Sequence, residues 1–195
     1  KQVDSSDTAN TDLPIRPRRN RINPAIRALI QETHIHPSQL VSPLFVQEGS
    51  RKRCEIKSMP DVFRFSIDEL DREIDVLLQA GIQAINLFCY IKQEDKDATG
   101  SKAIQQDNLL QRAVRHIKTH YPNILVITDI ALDPFTDHGH DGILDEQGYV
   151  VNDQSVDILA EMALRAAEAG ADLISPSDMM DGRVKKIRQA LDSKG

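Results

Sequence analysis

Acidic and histidine side chains follow one apolar segment, and their types suit metal or proton chemistry. They are Asp129, Asp133, Asp141, His138 and His140. Asp129 interrupts an apolar run, where a carboxylate must be paired, bind a cation or face a cleft. Carboxylate oxygens suit Mg²⁺, whereas the histidines would shift the preference toward Zn²⁺. The spacing matches no standard metal motif, so a turn-rich solvated loop at 137–142 is the alternative interpretation.

A second polar pair, Ser177 and Asp178, follows another apolar segment at 173–176. One interpretation presents this hydroxyl and carboxylate to a substrate. The other makes them the N-cap of the next helix, a position that Ser and Asp favour. The residue types alone leave both interpretations open.

Other reactive or sulfur-containing side chains are interpreted as structural. Cys89 lies in an apolar segment and is expected to be inert core. The adjacent methionines Met179 and Met180 are also expected to pack in the core. The lysines near the end of the chain lie in a polar helical pattern and are expected to be solvated, so none resembles the desolvated lysine of a Schiff-base enzyme; they are Lys185, Lys186 and Lys194.

Apolar runs alternate with helical patterns along most of the chain. Strands are predicted at 40–46, 84–90, 124–132 and 173–176, and helices at 24–32, 66–80, 101–120, 154–169 and 183–191. A capping box is predicted at 66–69, and 49–65 and 135–152 are predicted as long loops. This alternation predicts an α/β fold with a parallel sheet buried on both faces, either doubly wound or half of a (β/α)8 barrel. In both architectures, ligands bind at the carboxyl ends of the strands.

Composition narrows the class of protein. The 195 residues are 40% hydrophobic and have a formal net charge of −6. No apolar run approaches the roughly 20 residues of a membrane-spanning helix, and the acidic balance argues against nucleic acid as the main partner. Two unpaired cysteines favour a reducing compartment. The polar residues 1–14 predict a flexible arm, which gives two parts, an arm with its first helix at 1–35 and a main domain at 36–195.

Five motifs resemble one enzyme family over residues 16–195. They are RPRR at 16–19, SPLFV at 42–46, DIALDPFT at 129–136, HGHDG at 138–142 and SPSDMMDGRV at 175–184. On these motifs the chain is identified as a member of the porphobilinogen synthase (5-aminolevulinate dehydratase) family. The resemblance implies a (β/α)8 TIM barrel, of which this chain holds about the first half, with an N-terminal arm that embraces a neighbouring subunit in an octamer or hexamer.

The resemblance also assigns roles to residues. It implies condensation of two 5-aminolevulinate molecules into porphobilinogen in tetrapyrrole and haem biosynthesis, with Asp129, Ser177 and Asp178 in the active site. Zinc-dependent members have cysteines where this chain has Ala131, Asp133 and Asp141. Asp133 and Asp141 are therefore expected to hold Mg²⁺, with Zn²⁺ or no active-site metal as alternatives and no organic cofactor.

The family's two Schiff-base lysines correspond to positions beyond Gly195, so the chain is expected to be a fragment that is inactive alone. One alternative is a shortened, non-catalytic paralogue that binds full-length subunits. Another is an independent four-stranded domain that binds Mg²⁺ through Asp133 and Asp141. The expected location is the cytoplasm, or a plastid in a photosynthetic eukaryote.

Overall fold

The computed structural model describes residues 14–195 and divides the chain into two compact units, 1–36 and 37–195. The predicted flexible arm therefore lies almost wholly outside the described residues. The first unit contains a 3-10 helix, Pro17–Arg21, and helix α1, Pro24–Leu29. The side chain of Asn23 caps α1 by accepting the backbone N–H of Ile26 at 2.9 Å. No described side chain of this unit is buried.

The second unit is built on one six-stranded sheet. Its strands are β1 (Val41–Gln47), β2 (Arg53–Glu55), β3 (Phe63–Phe65), β4 (Ala84–Tyr90), β5 (Leu125–Ile130) and β6 (Leu173–Pro176). Their spatial order is β2-β3-β1-β4-β5-β6, and every neighbouring pair is parallel except β2 and β3. The helices are α2 (Leu70–Gln79), α3 (Leu109–His120), α4 (Asn152–Glu168) and α5 (Arg183–Asp192).

The strand order decides between the two predicted architectures. Strands β1, β4, β5 and β6 are neighbours in chain order, and a helix leads away from each before the next begins. A doubly wound sheet would instead reverse its order at a switch point. The chain thus has the sequential β/α arrangement of a (β/α)8 barrel, over four units.

The helices cover one face of the sheet. A single core joins the buried strand residues to the apolar stripes of the helices, including Leu44, Ile85, Leu87 and Val126 from the strands and Ile74, Val114 and Leu159 from the helices. The opposite face is partly open, since Val41, Leu125 and Leu173 are 48%, 37% and 48% exposed. The prediction of a sheet buried on both faces is therefore wrong for these residues, because alternate side chains of parallel strands point to opposite faces and helices pack on one.

Three local predictions also need correction. Residues 49–65, predicted as a loop, contain β2 and β3, which are short strands whose pairing depends on distant residues. The capping box at 66–69 does not form, because the Ser66 hydroxyl bonds the backbone of Lys52 and α2 begins only at Leu70. The helix predicted at 101–120 is a 3-10 turn, Ser101–Ile104, followed by α3.

Among residues 14–195, no helix has the length and apolar character needed to cross a membrane.

Candidate active site

Asp129 lies near the carboxyl end of β5, in register with Ser175 of the neighbouring strand β6. Its side chain is half-buried, and its buried Oδ1 atom accepts no hydrogen bond from the described residues. Most buried polar atoms in proteins are paired, so an unpaired carboxylate oxygen at a strand end fits a cationic or hydrogen-bonding ligand. In (β/α)8 barrels, catalytic residues lie at the carboxyl ends of the strands, which is where Asp129 lies.

Burial and neighbouring carboxylates change the pKa of Asp129. Burial raises the pKa of Asp129, and the negative charges of Asp133, Asp141 and Asp178 raise it further. A hydrogen bond from the Ser177 hydroxyl lowers the pKa in part. The cluster thus brings a carboxylate closer to the neutral pH at which it can exchange a proton with a ligand.

Asp178 is the most deeply buried member of the cluster, at 2% exposed. It accepts the backbone N–H of Met180 at 2.7 Å, and its Oδ2 lies 3.2 Å from Nε of Arg183 without hydrogen-bond geometry. Burial raises its pKa, while these two contacts oppose the rise. The N-cap interpretation is wrong, because Gly182, with φ of 78°, precedes the first residue of α5. Asp178 instead turns inward, and Ser177 stays exposed beside it.

The segment 137–142, which carries Asp141, is made largely of turns and bends and is mostly exposed or half-buried, as the solvated-loop interpretation expects, and a hairpin follows it. Leu144 and Val150 form an antiparallel bridge, which makes a small hairpin. The backbone N–H of Ile143 donates to the hydroxyl of Ser155 in α4 at 3.0 Å. The hairpin is therefore fastened to a helix two residues after Asp141, which holds that carboxylate near the strand ends.

Asp133 and Asp141 were the predicted metal ligands. Asp133 is exposed, but partial desolvation raises its pKa and the charge of Asp141 raises it further, so the two carboxylates lie close enough to interact. The ammonium of Lys96 donates to the backbone carbonyl of Asp133 at 3.1 Å. Within residues 14–195, no third His, Cys, Asp or Glu joins these two aspartates at ligand distance. Two carboxylates are a donor set that suits a hard, largely hydrated cation.

His138, in the same segment, adds little to a zinc site. The Nδ1 atom of His138 accepts the backbone N–H of His140 at 3.1 Å. Its Nε2 atom lies 3.2 Å from the carbonyl oxygen of Ala98, to which it donates in the same tautomer. Both ring nitrogens of His138 are thus engaged, which disfavours the predicted shift toward Zn²⁺.

Two residues that help to shape the candidate site were not predicted from the sequence. Arg183 places a positive charge beside the buried carboxylate of Asp178. Its position within the SPSDMMDGRV motif could have indicated this role. Asp97 organises the loop after β4 by accepting hydrogen bonds from Thr99 and Ser101, which lower its pKa. The backbone of Asp97 also bridges to Thr136, so it connects the loops after β4 and β5. The Asp-x-Thr-x-Ser spacing was the available signal for such a turn.

The residues predicted to be structural behave mostly as expected. Burial and the charge of Asp129 raise the pKa of Cys89, which keeps the thiol protonated and inert. The three late lysines are exposed, as predicted: Lys185, Lys186 and Lys194. Met180 is buried, whereas Met179 is 77% exposed, so the core prediction is right for one methionine and wrong for the other.

Comparison with known proteins identifies the family. The family model described as delta-aminolevulinic acid dehydratase matches residues 14–195, which is nearly the whole chain. The chain belongs to the delta-aminolevulinic acid dehydratase family. The resemblance that the motifs indicated is therefore confirmed.

Relatives within the delta-aminolevulinic acid dehydratase family come from bacteria and plants. The Chlamydia pneumoniae enzyme is 48% identical over 180 residues, which are 92% of this chain and 54% of that relative. The chloroplastic delta-aminolevulinic acid dehydratase 1 of Arabidopsis thaliana is 43% identical over 185 residues, covering 94% of this chain and 43% of the relative. The chain thus spans about half the length of these relatives.

A solved structure supports the same fold. Delta-aminolevulinic acid dehydratase (porphobilinogen synthase) from Toxoplasma gondii ME49, in complex with the reaction product porphobilinogen, aligns with a TM-score of 0.90 at 43% identity. The alignment covers 94% of this chain and 52% of that chain. The predicted partial TIM barrel is therefore confirmed.

Proposed function

We propose that this chain supplies part of the active-site wall of a porphobilinogen synthase. That enzyme condenses two molecules of 5-aminolevulinate into porphobilinogen with loss of water, in tetrapyrrole and haem biosynthesis. The observation that carries the proposal is the half-buried Asp129 carboxylate, whose Oδ1 has no partner among the described residues and which stands at a barrel strand end. A relative at 43% identity holds the product of this reaction.

The chemistry of the cluster suits this substrate. An ammonium group of 5-aminolevulinate is a cation, and four interacting carboxylates create a negative field that attracts it. Asp129, with its raised pKa, would take or return a proton at that group, and the exposed Ser177 would orient the substrate beside it. The buried Asp178 would act from behind these residues through its negative charge. The positive charge of Arg183 lowers the free-energy cost of keeping the buried Asp178 carboxylate charged.

The covalent part of the reaction needs a lysine that this region does not present. A Schiff base requires an amine placed at the substrate carbonyl and kept from protonation by a desolvated or cationic surrounding. Lys96, at the edge of the carboxylate cluster, is instead bonded to the carbonyl of Asp133. The 195-residue chain is therefore proposed to be inactive alone.

Mg²⁺ is the proposed metal, with Asp133 and Asp141 as its protein ligands. When bound, it would supply positive charge that compensates the two carboxylates, of which Asp141, after desolvation, raises the pKa of Asp133. The proposed partners are 5-aminolevulinate and further copies of the same protein, in an octamer or hexamer formed through the arm at 1–35.

Because both bacterial and chloroplastic relatives match, the proposed location is a bacterial cytoplasm or a plastid.

Pyrrole formation from 5-aminolevulinate tests the proposal directly. The 195-residue chain should form no porphobilinogen, whereas a chimera that continues after Gly195 with the remainder of the Chlamydia pneumoniae relative should form it, and more rapidly with Mg²⁺. In the chimera, Asp129→Asn should lower kcat by about 10²–10⁴-fold, the usual contribution of a positioned acid or base. Asp192→Asn, on the exposed side of α5, is the matched control and should leave kcat unchanged.

Two results would contradict the proposal. Porphobilinogen formation by the 195-residue chain would mean that one of its own lysines is catalytic, and full activity of the Asp129→Asn chimera would remove that carboxylate from the mechanism. Gel filtration of the chain mixed with the full-length relative tests the alternative of a non-catalytic paralogue, which predicts a stable complex without activity of its own.

A further inference from the structure

Metal-ligating side chains also converge on the helical layer, apart from the carboxylate cluster. Asp71 lies in the first turn of α2, and His116 and His120 lie one turn apart at the end of α3. One ligand atom from each lies within 4.8 Å of the other two, and no other three His, Cys, Asp or Glu residues within 14–195 converge in this way. His120 precedes the start of β5, whereas Asp129 lies near that strand's opposite end.

His120 is oriented as a ligand. Its Nδ1 atom lies 2.8 Å from the backbone carbonyl oxygen of His116, to which its N–H donates. This bond selects the tautomer whose Nε2 atom carries a free lone pair. Metal-binding histidines commonly make such a bond with the nitrogen that does not bind the metal. The exposed His120 ring can therefore receive an ion without rearrangement of the backbone.

His116 and Asp71 already hold each other across the two helices. The Nε2 atom of His116 lies 2.8 Å from Oδ1 of Asp71, with side chains 22% and 37% exposed. Zinc bonds of about 2.0–2.2 Å to nitrogen and oxygen place tetrahedral ligand atoms roughly 3.3 Å apart. Replacing the shared proton by an ion would thus separate this pair by only about half an ångström. The partial exposure leaves a path for the ion.

The surroundings favour positive charge at this point. Burial raises the pKa of Tyr121 to about 12, together with its hydrogen bond to Asp75 and the negative charges of Asp71 and Asp75. The Tyr121 hydroxyl donates to Oδ1 of Asp75 at 3.0 Å. The carbonyl end of α3, where His120 lies, adds negative partial charge. A divalent cation would therefore enter a region that is already negative.

We propose that Asp71, His116 and His120 form a binding site for a borderline divalent transition-metal ion, represented by Zn²⁺. Two imidazole nitrogens and one carboxylate oxygen are a donor set that such ions accept, and water fills the fourth position. The ion links α2 to α3 and so stabilises the helical layer, independently of substrate chemistry at the strand ends.

Calorimetric titration of the chelator-treated 195-residue chain with Zn²⁺ tests the site. One ion should bind per chain, and the melting temperature should rise with Zn²⁺ concentration because only folding brings the three ligands together. Co²⁺ in place of Zn²⁺ should give the absorption of a four-coordinate nitrogen and oxygen site.

Conservative variants separate binding from folding. Asp71→Asn, His116→Gln and His120→Gln keep similar size and polarity, and each should weaken Zn²⁺ affinity by at least about tenfold, since even second-shell partners change metal affinity by about 10–100-fold. The matched control is the double variant His138→Gln/His140→Gln, which removes a second close histidine pair and should retain the affinity. Far-UV circular dichroism checks that all variants are folded.

The proposal is overturned by three results: no stoichiometric binding by the wild-type chain, unchanged affinity in the three single variants, or loss of affinity in the histidine control. Because every readout concerns metal binding and stability, none of these outcomes depends on whether the chain takes part in porphobilinogen synthesis.

Discussion

Residues of the same type have different chemistry in this protein because their surroundings differ. Burial raises the pKa of Asp129 and of Asp178. The exposed Asp68 shows the opposite effect, since hydrogen bonds from Ser66, from the backbone of Arg51 and from Ser50 lower its pKa to about 2. Only the first two aspartates have the environment of a proton-transfer group.

The raised pKa of Asp129 predicts a pH-dependent stability. The folded state binds this proton more tightly than the unfolded state, so the stabilisation is complete below the ordinary carboxyl pKa of about 4 and is lost as pH rises through the higher folded-state pKa. Asp129→Asn stays neutral and avoids this loss. Urea unfolding from about pH 4 to about pH 8 should therefore show the variant gaining stability relative to wild type as pH rises.

Asp181→Asn is the matched control, because Asp181 is an exposed aspartate in the neighbouring loop. Its unfolding free energy should run parallel to that of wild type over the same range. A constant difference between Asp129→Asn and wild type would show that burial does not destabilise the charged form of Asp129.

At the scale of elements, helix α4 positions the site through one hydroxyl. Ser155 is fully buried in the first turn of α4. It accepts the N–H of Ile143 at 3.0 Å and donates to the carbonyl of Val151 at 2.7 Å. These bonds connect the hairpin that follows Asp141 to a helix packed in the core.

Ser155→Ala should destabilise this connection. The substitution leaves the N–H of Ile143 without its partner in a part-buried position, which costs about 1 kcal/mol of unfolding free energy. Chemical denaturation measures the loss, and faster hydrogen exchange of the Ile143 amide locates it in the hairpin.

Ser193→Ala provides the comparison, because the exposed Ser193 hydroxyl donates only to the carbonyl of Ala190. That variant should stay within about 0.5 kcal/mol of wild type. Equal effects of the two substitutions would show that Ser155 does not anchor the hairpin.

For the whole molecule, the open sheet face is the main consequence of the fold. The sheet face that the helices leave uncovered, called the inner face below, carries exposed apolar side chains at Val41, Leu125 and Leu173. One edge of the sheet is β2, a three-residue exposed strand that includes two charged residues, and this is a common protection against association. The other edge, β6, borders an open cleft of about 580 Å³ between α4 and α5. The 195-residue chain is expected to self-associate through the inner face and this edge.

Leu173→Glu should reduce that association without unfolding the chain, because Leu173 is 48% exposed on the inner face. Light scattering at increasing protein concentration measures the effect. Val76→Glu is the control, since Val76 is 55% exposed on α2 and lies away from the inner face. A wild-type chain that is monomeric at all concentrations, with a sharp cooperative melt, would contradict this expectation.

Much of the architecture could be predicted from short stretches of the sequence. Apolar runs located β1, β4, β5 and β6, because each is long enough to be distinguished from a loop, and helical periodicity located the helices between them. Asp129 was conspicuous because a carboxylate within an apolar strand needs a special environment. The motifs indicated the family, which the family model confirms.

Other features depend on residues that are distant in the chain. Strands β2 and β3 are only three residues long, and they are stabilised by pairing rather than by their own propensity. The inward turn of Asp178 depends on burial and on Arg183, whereas its local sequence equally suited a helix cap.

The sequence by itself determined the fold class, the family and the strand ends where chemistry is expected, because these follow from periodicity and contiguous motifs. The tertiary structure decided which sheet face the helices cover and which aspartates have raised pKa values. It also brought Asp71 from α2 to His116 and His120 on α3. Such contacts arise when the helices pack, and no spacing along the chain specifies them.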